Sequence, residues 1–359
     1  MITVTKPYLP PRDEFINKVN EIFDRGILTN QGPNVKELES KLKQYLNIKN
    51  LDYVTNGTIA LQFALEALNL NHGEIITTPF SYVATCSSIL WQKFKPVFVD
   101  IELENFTLDP SLIESKITDK TVAIMPVHVF GYACKIEEIE CIAKKHDLKV
   151  IYDAAHAFGS CYKQRSLVSY GDISTLSFHA TKLFHTIEGG ACVCNLDGVE
   201  QKLDLIKRFG HNGDLHLELG INGKQDEFNA AMGIVNLSHI DEIICERKKI
   251  SDTYDLFLDN CVGRPLLQKD LSYNYAYYPV VFSSEDELKK VFVELEKIGV
   301  YPRRYFYPSL NLLPYVDYVE CPRSEDLSTR IACLPLYFGL SLDIVKNISE
   351  NIKKSIRGK

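Results

Sequence analysis

Between Leu51 and Cys194, short apolar runs alternate with stretches whose apolar positions recur every three or four residues. That alternation is the signature of parallel strands joined by crossover helices. It predicts strands at Leu51–Thr55, Glu74–Thr77, Lys95–Val99, Thr121–Val127, Lys149–Tyr152, Ile173–Ser177 and Ala191–Cys194. Helical spacing runs through Ile59–Leu65 and Ile136–Ala143. Too little chain separates the last two strands for a crossover helix, so an antiparallel member is expected there. Beyond about Asp241 the pattern changes. Glu242–Lys249 reads as part of a long helix, Tyr277–Phe282 as a strand, and Glu285–Ile298 and Leu342–Ile356 as helices. The expectation is an α/β protein with a large domain over residues 1–240, opening on an arm over 1–25, and a small α/β domain over 241–359. A helix, and no flexible tether, joins the two.

Composition narrows the class. A chain of 359 residues with 45% hydrophobic and 24% charged positions is ordinary for a soluble globular enzyme. Its formal net charge of −7 argues against a nucleic-acid backbone as the main partner. The ten cysteines are scattered without a CxxC pair, and Cys192 and Cys194 alternate about Val193 as strand residues do. They read as buried reduced thiols. The opening Met1-Ile2-Thr3-Val4-Thr5-Lys6-Pro7 lacks a signal peptide's apolar core, and no apolar run approaches the ~18 residues of a membrane span. A cytoplasmic location with no membrane partner is expected.

Candidate chemistry centres on Lys182, which ends Ser177-Phe178-His179-Ala180-Thr181-Lys182 and precedes Glu188-Gly189-Gly190. Asp153 closes the apolar run Val150-Ile151-Tyr152, at a strand end of the kind where open α/β sheets bind ligands. A lysine can hold an aldehyde cofactor as a Schiff base, and a carboxylate at a pyridine nitrogen keeps that ring protonated. Together the two look like the machinery of a pyridoxal-phosphate (PLP) enzyme. Each has an ordinary reading on its own, as a solvated lysine and as a turn-capping or metal-binding aspartate. Only His156 lies near Asp153 as a further metal ligand, so no metal site is expected; His156 is instead expected close to the cofactor's ring or phenolic oxygen. Asn56-Gly57-Thr58 opens a helix after a strand, which suits a phosphate or a simple N-cap. Tyr82 is able to stack on a flat heteroaromatic ring, with Phe80 as its substitute and core packing as the plain alternative for both. Ser177 is able to donate its hydroxyl to the same phosphate.

Six motifs in order then resemble the DegT/StrS family of nucleotide-sugar aminotransferases over nearly the full length. They are Asn56-Gly57-Thr58, Pro79 to Thr85, Pro96 to Asp100, Asp153-Ala154-Ala155-His156, Ser177 to Lys182 with Glu188-Gly189-Gly190, and Asn222-Gly223-Lys224. The resemblance implies the type I aminotransferase fold, a large mostly parallel seven-stranded sheet flanked by helices plus a smaller C-terminal α/β domain. It makes Lys182 the Schiff-base lysine, Asp153 the pyridinium partner and Tyr82 the stacking ring. Gly57, Thr58 and Ser177 would hold the phosphate, joined by Asn222 from the second subunit of a homodimer with shared active sites. His156 falls where the family carries Gln or His. Lys224 stands where many members have Arg, and Asn229 where many have Gln.

Some members replace the lysine by histidine and act as sugar dehydratases, so Lys182 argues for transamination. Val4 to Pro11 and Phe178 to Lys182 are most similar to enzymes that aminate a dTDP-linked 4-keto-6-deoxyglucose at C4, with a 3-keto isomer as the alternative. The implied reaction takes an amino group from L-glutamate through pyridoxamine phosphate, in the service of surface polysaccharide such as the O-antigen of lipopolysaccharide. A nucleotide diphosphate calls for cations, and Arg303, Arg304 and Lys224 are candidates. Tyr8, His185 and Tyr307 are candidates for the hexose. Two rivals remain at this point: a regulator that binds PLP or a nucleotide sugar without turnover, and a PLP enzyme acting on amino acids alone.

Overall fold

A computed structural model describes residues 1–357; Gly358 and Lys359, the end of the expected small domain, lie outside the described residues. Seven strands form one sheet: β1 (Asp52–Val54), β2 (Glu74–Thr77), β3 (Lys95–Phe98), β4 (Thr121–Met125), β5 (Lys149–Asp153), β6 (Ile173–Ser177) and β7 (Gly190–Cys194). Their order is β1-β7-β6-β5-β4-β2-β3. Strand β7 is antiparallel to both neighbours, while the pairs from β6 to β3 are parallel. The seven runs read from the sequence are these seven strands, with the antiparallel member where the short connection requires it.

Period-two alternation splits each strand between two faces. Ile76, Val150, Tyr152 and Val193 join one apolar cluster, and Ile75, Ile151, Cys192 and Cys194 join the other. Helices α2 (Pro33–Leu46), α5 (Ile136–Lys145) and α7 (Glu227–Ser238) cover the first face, and α3 (Gly57–Ala67) and α6 (Val199–Ile206) the second. Burial on both faces is what a mostly parallel sheet needs. Helix α2 shows how local sequence sets an element: Pro33 fixes its first turn, and Val35, Leu38, Leu42 and Leu46 form its buried stripe. The fully buried Glu227 carboxylate of α7 accepts the Asn34 and Val35 amides, at 2.9 and 3.0 Å, so one helix caps another. Ahead of α2, the expected N-terminal arm contains helix α1 (Arg12–Arg25).

Between α6 and α7 a short hairpin, β8 (His211–Asn212) with β9 (Leu215–His216), leaves Phe209, Leu215, Leu217, Leu219 and Ile221 exposed. Later in the chain, α8 (Ile240–Leu258), α9 (Glu285–Lys297) and α11 (Leu342–Arg357) surround the antiparallel pair β10 (Tyr278–Val281) and β11 (Ile331–Leu334) in an apolar cluster of their own. Helix α4 (Val83–Trp91) follows β2, and α10 (Pro322–Arg330) leads into β11. All ten cysteines are free. No helix among the described residues is long and apolar enough to cross a membrane.

Candidate active site

The carboxyl ends of the parallel strands open into a cavity of about 600 Å3, the position where α/β sheets take ligands. Its wall includes Gly57, Thr58, Tyr82, Asp153, His156, Ser177 and Lys182, with Arg303 from the C-terminal part. Asp153 is the last residue of β5 and Ser177 the last of β6. Lys182 follows β6 in a turn closed by its own amide on the His179 carbonyl.

Glycine makes the phosphate-sized end of this cavity. A Cβ at Gly57 would lie 2.8 Å from that of Ser177, and one at Gly190 would overlap the Asn56 carbonyl group. Any larger residue would push α3 off the sheet. The Asn56 side chain caps α3 by accepting the Ile59 amide at 2.9 Å, which leaves the Gly57 and Thr58 amides without intrahelical partners at the positive end of the helix dipole. Ser177 stands opposite them.

Asp153 and His156 are buried and Lys182 is half-buried, and all are incompletely partnered. Asp153 accepts the Thr85 hydroxyl at 2.7 Å on one oxygen and the Ala155 amide at 3.1 Å on the other. No cation among the described residues forms an ion pair with it. Burial pushes its carboxyl up, against the opposing pull of Thr85, Ala155 and Lys182. Burial also pushes the Lys182 amine down to about 8, opposed by the charges of Asp153 and Tyr82. The Lys182 Nζ donates to the Tyr277 hydroxyl at 3.4 Å. His156 accepts the Phe130 amide on Nδ1 at 3.1 Å, and burial, then Lys182, hold it well below its ordinary range. It is a neutral imidazole with its proton on Nε2, its ring near-parallel to those of Phe130 and Phe306, with centroids 6.2 and 5.7 Å away.

The remaining candidates sit elsewhere. His185 is buried; its Nδ1 accepts the Ile187 amide, so its Nε2–H donates to the Tyr8 carbonyl at 2.8 Å. Both residues pack away from the cavity wall, with the Tyr8 ring against His239 and Phe338. Arg304 is paired with Glu285 at 2.8 Å and covers the exposed Tyr307 ring. Lys224 lies over the Phe209 ring and Asn222 is exposed beside the hairpin, pairing with Arg208 through the backbone. Asn229 is tied to Asp226, the N-cap of α7. Conversely, the fold brings in Thr85, Tyr277 and Phe306, to which sequence reasoning gave no role. Thr85 stood within a recognised motif, one turn after Tyr82, and that spacing was its only signal. Tyr277 heads an apolar strand and carries none.

The donor set fits one group well: amides and a hydroxyl for a phosphate, an unpaired carboxylate for a ring nitrogen, aromatic walls for a flat ring and an amine for an aldehyde. A mostly parallel seven-stranded sheet with this cavity defines a PLP-dependent enzyme of the type I aminotransferase fold. Residues 11–353 match the DegT/DnrJ/EryC1/StrS aminotransferase family. The chain is 40% identical over 363 residues to the dTDP-4-amino-4,6-dideoxy-D-glucose transaminase of Shigella dysenteriae, covering 98% of each. Among solved structures it resembles DesI in the presence of its TDP-sugar product, with a TM-score of 0.92, 27% identity, and coverage of 99% of this chain and 93% of that one. It also resembles Spr1654 of Streptococcus pneumoniae in its PLP form, with a TM-score of 0.90, 27% identity, and coverage of 98% and 99%. The protein belongs to the DegT/DnrJ/EryC1/StrS aminotransferase family.

Proposed function

We propose that the protein transfers the amino group of L-glutamate to dTDP-4-dehydro-6-deoxy-D-glucose, giving dTDP-4-amino-4,6-dideoxy-D-glucose and 2-oxoglutarate, for surface polysaccharides such as the O-antigen of lipopolysaccharide. The observation that carries the chemistry is a half-buried amine held down to about 8 in the same cavity as a buried carboxylate without an ion pair. The sugar is argued from the Shigella relative, matched over 98% of both chains.

In this reading the Gly57 and Thr58 amides and the Ser177 hydroxyl hold the cofactor phosphate, Tyr82 covers one ring face and His156 stands near the phenolic oxygen. Asp153 keeps the ring nitrogen protonated, its position set by Thr85 and the Ala155 amide. The bound cofactor supplies an aldehyde for amine capture and a ring that accepts electrons. Lys182, neutral once pH exceeds about 8, takes the proton from the donor's α-carbon and delivers one to the sugar carbon that receives nitrogen. Arg303 stands at the cavity for a diphosphate or a carboxylate.

A homodimer belongs to the same reading. The exposed Leu215, Leu217 and Leu219 of the hairpin are 65%, 55% and 82% exposed, an apolar cluster that a second copy would cover. Asn222 and Lys224, which follow it outside their own cavity, would then serve the partner's phosphate site. Incubation with L-glutamate and a panel of dTDP- and UDP-keto-sugars, with mass and NMR analysis of products, tests the reading. Amination at C4 of the dTDP-linked sugar is expected. Amination at C3, or of no nucleotide sugar, overturns it.

A further inference from the structure

We propose that Tyr277 is a positioning residue for Lys182: its phenol holds the amine at the cavity wall whenever that amine is not bonded to cofactor. The inference rests on Lys182 being the cofactor lysine. The Tyr277 hydroxyl lies 3.4 Å from Nζ and has no other hydrogen-bond partner among the described residues. Its place is fixed from outside the sheet. The ring packs 4.5 Å from His156, 5.8 Å from Phe130 and edge-on to Tyr305. Its carbonyl accepts the Tyr273 hydroxyl at 2.9 Å. The preceding turn is gripped by the buried Arg247 of α8, which donates to the Tyr275 and Ala276 carbonyls at 2.9 and 2.5 Å. Arg247 forms no ion pair among the described residues, so its guanidinium is spent on holding this turn.

A neutral phenol suits both states of the amine, since it accepts from an ammonium and donates to a free amine. Burial pushes the Tyr277 hydroxyl up, so it keeps its proton while Lys182 titrates. The other ionisable groups about Lys182 are placed for different work. Asp153 already accepts from Thr85 and Ala155, His156 is neutral with Nδ1 occupied, and Tyr82 is 56% exposed. His179 and Glu188 pair with each other at 3.5 Å on the same wall, and Arg303 faces the Tyr305 ring. Among the described residues, Tyr277 alone gives the lysine side chain a hydrogen-bonding partner.

The test is Tyr277→Phe, which keeps the ring and leaves no other protein group unpartnered. In the cofactor-free protein, the rate of Lys182 acylation against pH, read by peptide mass, gives the amine's apparent pKa. The bond from the ammonium is charge-assisted and stronger than the bond to the free amine, so losing both should move the value down by roughly half a unit or more. In the loaded protein, the single-turnover rate of amino transfer from glutamate should fall about tenfold or more, with glutamate KM within about twofold, as for a reacting group left slightly misplaced. An acylation curve that superimposes on wild type, or an unchanged transfer rate, overturns the proposal. Should Tyr277→Phe fail to fold by circular dichroism, 3-fluorotyrosine in place of Tyr277 keeps the hydroxyl with weaker acceptor strength, and the same two readings decide. Borohydride trapping of wild type separates the levels. A tag at Lys182 with an indifferent Tyr277→Phe rejects only the positioning role, and a tag elsewhere rejects both.

Discussion

Lys207 is buried and Lys182 half-buried, and the two are opposites. Lys207, after α6, meets Asp52 at 2.7 Å, Glu39 at 3.4 Å and Asp204 at 3.5 Å; although burial opposes it, these carboxylates push its amine above the ordinary range. Lys182 meets a phenol, with its nearest carboxylate engaged elsewhere, and is pushed down to about 8. The first arrangement satisfies a charge and ties β1 to α6 beneath the strand that leads into Asn56. The second leaves an amine able to lose its proton near neutrality. Burial alone therefore says nothing about function. What separates a staple from a reagent is whether the fold also supplies the counter-charge.

The largest effects should come from the unpaired groups. Lys182→Ala should remove transamination to below detection, at least about a thousandfold, because capture and proton transfer both use its amine. The cofactor-free variant should melt no lower than wild type, since an amine withdrawn from water without a counter-charge stabilises nothing. Residual turnover within tenfold of wild type would end the assignment of Lys182. Asp153→Asn should cost about a hundredfold or more in kcat, the scale on which a charge placed at a reacting centre matters. Thr85 can still donate to the amide oxygen, so a matching loss of melting temperature would turn Asp153 into a structural cap.

Lys207→Met inverts the pattern. It strands Asp52 and Glu39 in a buried setting, and breaking such a cluster from one side costs about 3–5 kcal/mol. Urea titration should show that loss, while activity per folded molecule stays near wild type. Unchanged stability there would erase the distinction between the two lysines.

The difference in partnering also explains what was legible in sequence. The seven strands were readable because both sheet faces are buried and each strand is an apolar run bounded by polar turns, Glu74–Thr77 and Ile173–Ser177 most clearly. Helix α2 carries an equally regular stripe, yet its N-terminus is capped by Glu227 from far along the chain, a contact with no local trace. Asp153, Lys182 and Gly57 were found because the chemistry requires those residue types at strand ends and helix starts. Tyr277 and Thr85 act through other residues, and their positions depend on Arg247 and on the approach of α4 to β5. His185 and Tyr8 show what sequence spacing leaves out: His185 lies three residues from Lys182, yet its ring donates to the Tyr8 carbonyl and holds the N-terminal segment.

The smallest predicted effect tests the comparison on one protein, through pH. Lys182 titrates near 8 when folded and at 10.5 in its ordinary state, so between those values the unfolded chain binds the extra proton and stability rises with pH. Lys207 titrates above 10.5 when folded; its contribution is present in full below 10.5 and is lost only as pH climbs through that higher folded value. In the window from about 8 to about 10, the slope difference between wild type and Lys182→Met in their cofactor-free forms therefore reports Lys182 alone, because the tyrosines, cysteines and Lys207 are common to both and cancel. Urea midpoints should place the variant above wild type at pH 7 and bring the two together by pH 10, with a slope of at most about 1.4 kcal/mol per pH unit, reduced by water entering the cavity. Saturating PLP should flatten the difference by consuming the amine. Parallel curves across the window would mean that the Lys182 amine is solvated like any surface lysine, and the contrast with Lys207 would be one of geometry without energy.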